Sequence, residues 1–581
     1  MIFLQLLIRR ISTARFVLAA LYVATPPSAG HADTPTTAFP TFLHPRHAAV
    51  ASDSQVASQA GLQMLRAGGN AVDAACATAL ALGVVHPFAS GLGGGGFALV
   101  YLARSGKAVA LDFRETAPQG LRAQADGGPN IVPQSGHSVG VPGEPAGLAE
   151  LVRRFGALPL SRCVEPALRL ARGFPASPWL AQQIKDEIVR NPTSAQNFLA
   201  TVFDLGERPA SEIRAGVRLT RSRLARTLEK LRRGGPEEFY RGSIGRAIVA
   251  AARDRGGVLS LDDLSGYAPV ERAPIMTKFL NRRVLLMPPP SAGGVIVAQA
   301  LGLVSERISS LSQGFGPLSP DYLHLLAEAL KHGFADRARY LGDPAFTQQP
   351  IDHLLDPAYH HELASRFWPD RVLPHESYGT PLPRPIQPAR DAGTAHVSVV
   401  DKAGNAVALT TTVNLEFGSR IVAGETGIVL NDEMDDFTQA PGSPDVFSLS
   451  GGNANQVAPG KRPVSSMSPT IVLGEHGVEL VAGAAGGPRI VSATLQVLLD
   501  ILLFGRDARQ AVEAPRIHHQ WEPDVLYYEP SLPAQTVRAL ERKGHRTQSR
   551  PDVGKANAIV RSPSGLDVAA DPRAGGAPAG Y

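Results

Sequence analysis

The chain has 581 residues, 44% of them hydrophobic and 19% charged, with 58 glycines and 48 prolines scattered along it without repetition. This is globular composition with ample core-forming residues, so collagen, coiled coil and whole-chain disorder are excluded, and length alone would suggest about four domains. The net charge of +5 falls to +2 once Arg9, Arg10 and Arg15 are assigned to a leader, and no concentrated Lys/Arg stripe remains, so a nucleic-acid partner is not expected.

The leader is read as a signal peptide over residues 1–32. Three arginines precede an apolar run at 16–24 that is too short to span a bilayer, and Gly30 and Ala32 suit the −3 and −1 positions of a signal peptidase site. The residues after Arg9-Arg10 do not fit a twin-arginine signal. Downstream, the best apolar stretches are interrupted by Asp73 and Asp500 before reaching the ~18 residues a transmembrane helix needs. A periplasmic or secreted protein without stable membrane insertion is expected.

Ala57, Ala60, Gly61, Met64 and Leu65 share one helical face, and Gly68-Gly69 ends that helix. Asn70, with Asp73 three residues on, caps the next helix, 71–85, which is apolar on nearly all sides. Cys76 lies in it and Cys163 opens a later amphipathic stretch; both are read as isolated buried thiols, not as a disulfide. A glycine loop at 91–96 precedes strands at 97–103 and 107–112, joined at Ser105-Gly106. Gly91, Gly93 and Gly96 match a dinucleotide-binding fingerprint, with Asp112 near the expected acidic position. Here, however, a helix precedes and a strand follows, the reverse of what that site requires. The glycines are read instead as a place where backbone passes close to something else.

Residues 144–375 carry mainly helical patterns, as at 144–155 and 321–340. The proline-rich segment 374–388 reads as an exposed loop. It leads to Ala392-Gly393-Thr394, after which strands return at 396–401 and 406–413 around the turn at 403–405. Helices, then strands, then both suit a layered α+β protein. His518-His519 with Trp521, and His44 with His47, invite a metal reading. Adjacent residues point apart and no second cluster stands at ligand spacing, so neither metal nor cofactor is expected.

Thr394 differs in kind. A threonine hydroxyl is a poor nucleophile without a base beside it, and one solution is the threonine's own α-amine, whose reference pKa of about 7.7–8.0 suits proton transfer near neutrality. Freeing that amine requires cutting the 393–394 bond. By itself a threonine opening a strand is ordinary β-propensity.

The motifs around it are more specific. T-A-H-V-S-V-V-D at 394–401, T-T-V-N-L-E-F-G at 411–418, G-I-V-L-N-D-E-M-D-D-F at 427–437, K-R-P-V-S-S-M-S-P-T at 461–470, G-G-P-R at 486–489 and D-P-R at 571–573 resemble the small subunit of γ-glutamyltranspeptidases. G-G-N-A-V-D-A-A at 68–75, the glycine loop, D-F-R-E-T-A-P at 112–118, V-G-V-P-G at 139–143, P-P-P-S-A-G-G at 288–294, A-E-A-L-K at 327–331 and Ala335-Asp336-Arg337 resemble the large one. The resemblance covers about residues 40–581. It implies an N-terminal-nucleophile hydrolase with a four-layer αββα sandwich, formed jointly by two autoprocessed chains, 33–393 and 394–581. The two make one interwoven catalytic unit, so the four-domain expectation is set aside.

The same resemblance implies roles. Thr394 would be nucleophile and, through its amine, base, with Thr412 orienting both groups. Gly486 and Gly487 would offer backbone N–H groups to the developing oxyanion. Arg114, with Ser465 and Ser466, would hold the substrate α-carboxylate, and Asn414, Glu433 and Asp436 the α-ammonium. The implied donors are glutathione and other γ-glutamyl compounds, with water, amino acids or peptides as acceptors. Three positions depart from the pattern. Ala395 stands where relatives often have Thr, Arg420 lies where some have a small residue, and Phe447 falls in the lid-like segment 441–453. There a tyrosine usually bonds the asparagine matching Asn414, a bond that Phe447 cannot make. Glutaryl or cephalosporin acylase activity, a polyglutamate-processing activity, or a non-catalytic secreted binding protein on the same fold are the competing readings.

Overall fold

A computed structural model describes residues 40–121, 131, 134–308, 315–380, 392–439, 444–449 and 451–581. At its centre the Ala392–Val400 and Ala406–Leu415 strands pair antiparallel. They belong to a seven-stranded sheet ordered Ala579–Gly580, Ala49–Ser52, Ala392–Val400, Ala406–Leu415, Gly95–Leu102, Lys107–Phe113, Val270–Arg272. A second seven-stranded sheet runs Phe42–Leu43, Gly565–Ala569, Lys555–Ser562, Gly477–Ala485, Thr470–Gly474, Arg282–Leu286, Ile275–Phe279. The two sheets face each other, with the Ala392–Val400 strand against Gly477–Ala485.

Helices cover both outer faces. Gln55–Arg66 and Ala71–Val85 lie against the first sheet, where Val397, Val399, Val407 and Leu409 join a core with Val72, Ala75 and Leu82. Gly293–Arg307 and Arg489–Leu502 lie against the second, where Val284, Ile471 and Val481 pack with Val297, Leu301 and Leu495. Strand residues alternate between the two sides, which is what lets a central strand feed two cores. This is the α+β, four-layer αββα sandwich that the resemblance implied.

Local chemistry explains the elements. Asn70 Oδ1 accepts from the Val72 and Asp73 amides while Asp73 Oδ2 accepts from the Asn70 amide, a reciprocal cap at the start of Ala71–Val85. Every residue of that helix is buried, as an all-round apolar pattern requires. The glycine loop meets the expected backbone neighbour: a Cβ at Gly94 or Gly96 would lie 1.9 Å from the Thr412 carbonyl oxygen or 2.2 Å from that of Thr410. Gly95 and Gly96 already belong to the Gly95–Leu102 strand, two residues ahead of the expected start.

Three expectations gain detail. The 144–375 region is mainly helical, as expected, but it also gives each sheet an edge strand, Val270–Arg272 in the first and Ile275–Phe279 in the second, with Arg282–Leu286 next inside the latter. Glu271 and Lys278 are charges of the kind expected on sheet edges, and they mask the alternation. Cys76 and Cys163 are free and buried, as expected; the nearby Cys163 thiol and burial together push the Cys76 pKa upward. In the proline-rich segment, His375 Nε2 lies 2.8 Å from Glu522 Oε1 and its ring stacks on buried Trp521, so the start of that loop is anchored. Residues 381–391 and the leader lie outside the described residues. Among the described residues no helix is long and apolar enough to cross a membrane.

Candidate active site

The pairing of the two central strands slips at one point. Gly393 stands opposite Asn414 but Thr394 opposite Thr412, leaving Val413 as an extra residue. Such a bulge re-aims the side chains beside it. Asn414 takes up the distortion with φ of 76°, a conformation asparagine tolerates better than most residues. Its amide donates to Thr412 Oγ1 at 2.9 Å, and the Thr412 hydroxyl donates to the Gly393 carbonyl at 2.8 Å. The Thr394 and Thr412 hydroxyl oxygens are 3.0 Å apart. Since Thr412 has spent its only proton on Gly393, Thr394 is the donor between them. The 393–394 peptide thus has a hydroxyl on its carbonyl oxygen and a hydrogen-bonded hydroxyl on the next residue. Thr411 points to the other face of the sheet, where it donates to buried Glu144.

Around Thr394 the structure gathers Thr412, Asn414, Arg114, Glu433, Asp436, Ser465, Ser466, Gly487 and Phe447. Gly486 adjoins, and both glycines sit at positive φ, 129° and 60°. Arg114 is fully buried. Its guanidinium donates to Glu433 Oε1, to Asp436 Oδ2 and, at 3.3 Å, to the Pro463 carbonyl. The sequence reading put Arg114 and the two acids at opposite ends of a ligand; here they neutralise one another. Glu433 Oε2 and Asp436 Oδ1 are buried and make no hydrogen bond among the described residues, so acceptor capacity faces the cavity. Burial raises the pKa of both acids against the opposing pull of Arg114.

Sequence reasoning missed two further charges. Glu115 Oε2 is 3.7 Å from Arg114, and burial pushes its pKa up to about 8. Arg337 lines the same cavity, and its guanidinium lies 3.6 Å from Asp445 Oδ2. Both sit inside quoted motifs, but neighbours in sequence to a named residue give no clue to which side chain turns inward. The cavity measures about 20 Å³, room for roughly one water, and Phe447 and Leu449 are among the side chains that line it.

The remaining histidines are occupied elsewhere. His518 bonds Ser492 and Gln520, and His519 accepts from the Trp521 amide at 3.1 Å and meets Asp524 at 3.3 Å. Burial lowers their pKa values to about 3 and about 4. His324, Glu328 and His545 come together across the fold, a cluster invisible at a separation of 221 residues. The two rings hydrogen-bond each other at 2.8 Å, and Glu328 is paired with the Lys331 ammonium at 3.0 Å. Asp571 of D-P-R binds Arg516 at 3.0 Å, far in function from the cavity. Arg420, at φ of 58°, pairs with Glu187 at 2.6 Å and does not line the cavity.

Comparison with known proteins adds an independent line. Residues 57–581 match the family model described as gamma-glutamyltranspeptidase. The chain is 40% identical over 535 residues to the glutathione hydrolase proenzyme of Escherichia coli (strain K12), covering 90% of each chain. It is 38% identical over 561 residues to glutathione hydrolase 2 of Arabidopsis thaliana, covering 92% of this chain and 94% of that one. Among solved structures it is similar to the cephalosporin acylase from Bacillus halodurans, with a TM-score of 0.80 and 28% identity over 96% of this chain and 99% of that one. It is also similar to the gamma-glutamyltranspeptidase from Pseudomonas nitroreducens complexed with L-DON, with a TM-score of 0.51 and 33% identity over 56% and 96%.

Proposed function

The chain belongs to the gamma-glutamyltranspeptidase family, and we propose that Thr394 is its nucleophile, first against its own backbone and then against γ-glutamyl amides such as glutathione. The observation that carries this is the hydroxyl relay at the bulge, Thr394 to Thr412 to the Gly393 carbonyl. In maturation, Thr394 Oγ1 attacks the Gly393 carbonyl carbon, which Thr412 polarises. The Gly393–Thr394 C–N bond breaks, leaving Thr394 with an amine and an ester to Gly393. Water then splits that ester, giving chains 33–393 and 394–581 once the leader 1–32 has been removed on export to the periplasm or medium.

In turnover the freed amine takes the Thr394 hydroxyl proton as the oxygen attacks the γ-carbonyl. Gly486 and Gly487 N–H groups would steady the oxyanion, the proton passes to the leaving amine, and a γ-glutamyl–Thr394 ester remains for water, an amino acid or a peptide. The charge pattern suits an amino-acid zwitterion. Its carboxylate would replace the acids on Arg114, with Ser465 and Ser466 alongside, while its ammonium takes up Glu433, Asp436 and Asn414. A glutaryl group would leave both acids uncompensated, which favours the transpeptidase reading over the acylase one. Denaturing electrophoresis with N-terminal sequencing tests the proposal: two chains, the smaller beginning at Thr394, and release of p-nitroaniline from γ-glutamyl-p-nitroanilide. A single intact chain that still turns over would end it.

Two expectations arise from the geometry. A Cβ at Gly393 would lie 2.2 Å from the Phe88 carbonyl oxygen and 2.5 Å from that of Leu415. Gly393→Ala should therefore displace the scissile carbonyl from Thr412 and slow self-cleavage by about tenfold or more, as expected for roughly 1.4 kcal/mol of misplacement. The rate of appearance of the two chains after synthesis reads this directly. The second concerns pH. With its pKa raised to about 8, Glu115 is protonated at neutrality, and burial raises Glu433 and Asp436 in the same sense. Only the ionised acids attract an ammonium. Inhibition by glutamate should tighten as pH rises through about 8, where Glu115 ionises, while inhibition by glutarate weakens. Inhibition constants moving together would separate these acids from ammonium recognition.

A further inference from the structure

The turn that closes the cavity is held by one carboxylate. Asp445 Oδ1 accepts from the amides of Phe447 and Leu449, each at 2.9 Å, while the Asp445 amide donates to the Leu449 carbonyl at 3.1 Å. Phe447 and Leu449 are the two residues of this turn that line the cavity. Gln520 adds bonds to the Phe447 and Ser448 carbonyls at 3.1 and 3.3 Å. The other Asp445 oxygen faces Arg337, on the last turns of the long Pro320–Tyr340 helix. That helix is packed throughout its length, so Arg337 offers the turn a rigid anchor. The arginine is itself buried and senses Asp436 across the cavity as well as Asp445. A cavity of about 20 Å³ admits no γ-glutamyl group, so this turn must lift for substrate to enter and settle again behind it.

We propose that Arg337 is a positioning residue for the reaction: through Asp445 it draws the Phe447–Leu449 turn down over the γ-glutamyl–Thr394 ester and so sets how well that ester is shielded from water. The inference rests on the reading of Thr394 given above. Hydrolysis of the ester adds water across its acyl C–O bond, releasing glutamate and returning a proton to Thr394 Oγ1. A turn that lies down keeps water from the acyl carbon until an acceptor arrives. Removing the guanidinium leaves Asp445 buried without its cation, an arrangement that is strongly unfavourable and is relieved when the turn opens to solvent.

The test compares mature two-chain wild type with Arg337→Gln, Arg337→Lys, Asp445→Asn and the Arg337→Gln/Asp445→Asn pair. Asparagine keeps an acceptor for the two turn amides and removes only the charge. Two readouts are needed: hydrogen exchange of the 444–449 peptide, and acceptor-free decay of the ester after a pulse of γ-glutamyl-p-nitroanilide. Arg337→Gln should raise both by about tenfold or more, with a higher donor KM, and Arg337→Lys should restore part of the loss. The double variant should be no worse than either single one, since both remove the same contact. Unchanged exchange at 444–449, or additive effects, would overturn the proposal. If Arg337→Gln does not fold, Asp445→Asn against Arg337→Lys gives the same decision. Absence of any γ-glutamyl ester on wild-type Thr394 would instead sink the nucleophile reading, while the exchange comparison would still report on the clasp.

Discussion

Thr394→Ala should accumulate as one uncleaved chain with no measurable release of p-nitroaniline. On the proposed mechanism the variant would lose the oxygen that attacks Gly393 and, because the bond would stay intact, would never acquire the amine that acts as base. One substitution would thus remove nucleophile and base together, and losses of about 10⁶ in kcat are usual when the nucleophile alone is deleted from such a constellation. Thr394 is buried and the variant keeps its Cβ while losing the hydroxyl and one methyl group, a small deletion that the fold should survive; thermal unfolding of the variant and of an uncleaved wild-type sample should differ by only a few degrees. Thr394→Ser retains the hydroxyl and should cleave, more slowly, because serine lacks the methyl group that fixes the rotamer. Normal cleavage in Thr394→Ala would show that another group, or another protein, cuts the chain.

Asp436→Asn should reverse substrate preference. In the free site Asp436 lies against Arg114, and its second oxygen is buried without a hydrogen-bond partner among the described residues. An incoming α-ammonium satisfies that oxygen, and losing the charge leaves the ammonium buried and poorly paired. Breaking a buried ion pair from one side typically costs about 3–5 kcal/mol, so kcat/KM for γ-glutamyl-p-nitroanilide should fall by about 10²–10⁴. Glutaryl-p-nitroanilide carries no ammonium, and its carboxylate gains an Arg114 released from one competing acid. Its kcat/KM should hold or rise. Arg114→Ala should damage both substrates alike, since both carry the carboxylate. Equal losses for the two substrates in Asp436→Asn would place Asp436 outside ammonium recognition.

The sequence was most legible where a single local interaction decides the outcome. The 71–85 helix is bounded as expected because Asn70 and Asp73 satisfy its first amides reciprocally, an arrangement written within four residues. The glycine loop announced a close approach but could not name its partner, since Thr410–Thr412 lie more than 300 positions away. The strands at 275–286 were lost in helical surroundings because each is only five residues long and carries charges that blur the hydrophobic pattern of a strand. The gathering of Thr394, Arg114 and the acids came from the family resemblance; composition and periodicity alone leave a threonine at the head of a strand. What neither route could reach was the state of the charges. That Arg114 is already neutralised by Glu433 and Asp436, and that Arg337 reaches Asp445, depends on side-chain directions fixed only when the layers pack.

The order of strands in the two sheets bears on how the molecule ages. Cutting between Gly393 and Thr394 would leave neither piece with a whole sheet. In one, Ala49–Ser52 would sit as a foreign strand between Ala579–Gly580 and Ala392–Val400; in the other, Phe42–Leu43 and the pair at 275–286 would flank strands from the second piece on both sides. Separation would then demand the loss of both cores at once, so the pieces would stay together without a covalent link. The price would fall on recovery. Before the cut, refolding is a search by one tethered chain; after it, two polymers would have to find each other at their ambient concentration and interleave strand by strand. Such a cut would turn a reversible equilibrium into a one-way commitment, and the lifetime of the finished enzyme would be governed by the height of its unfolding barrier.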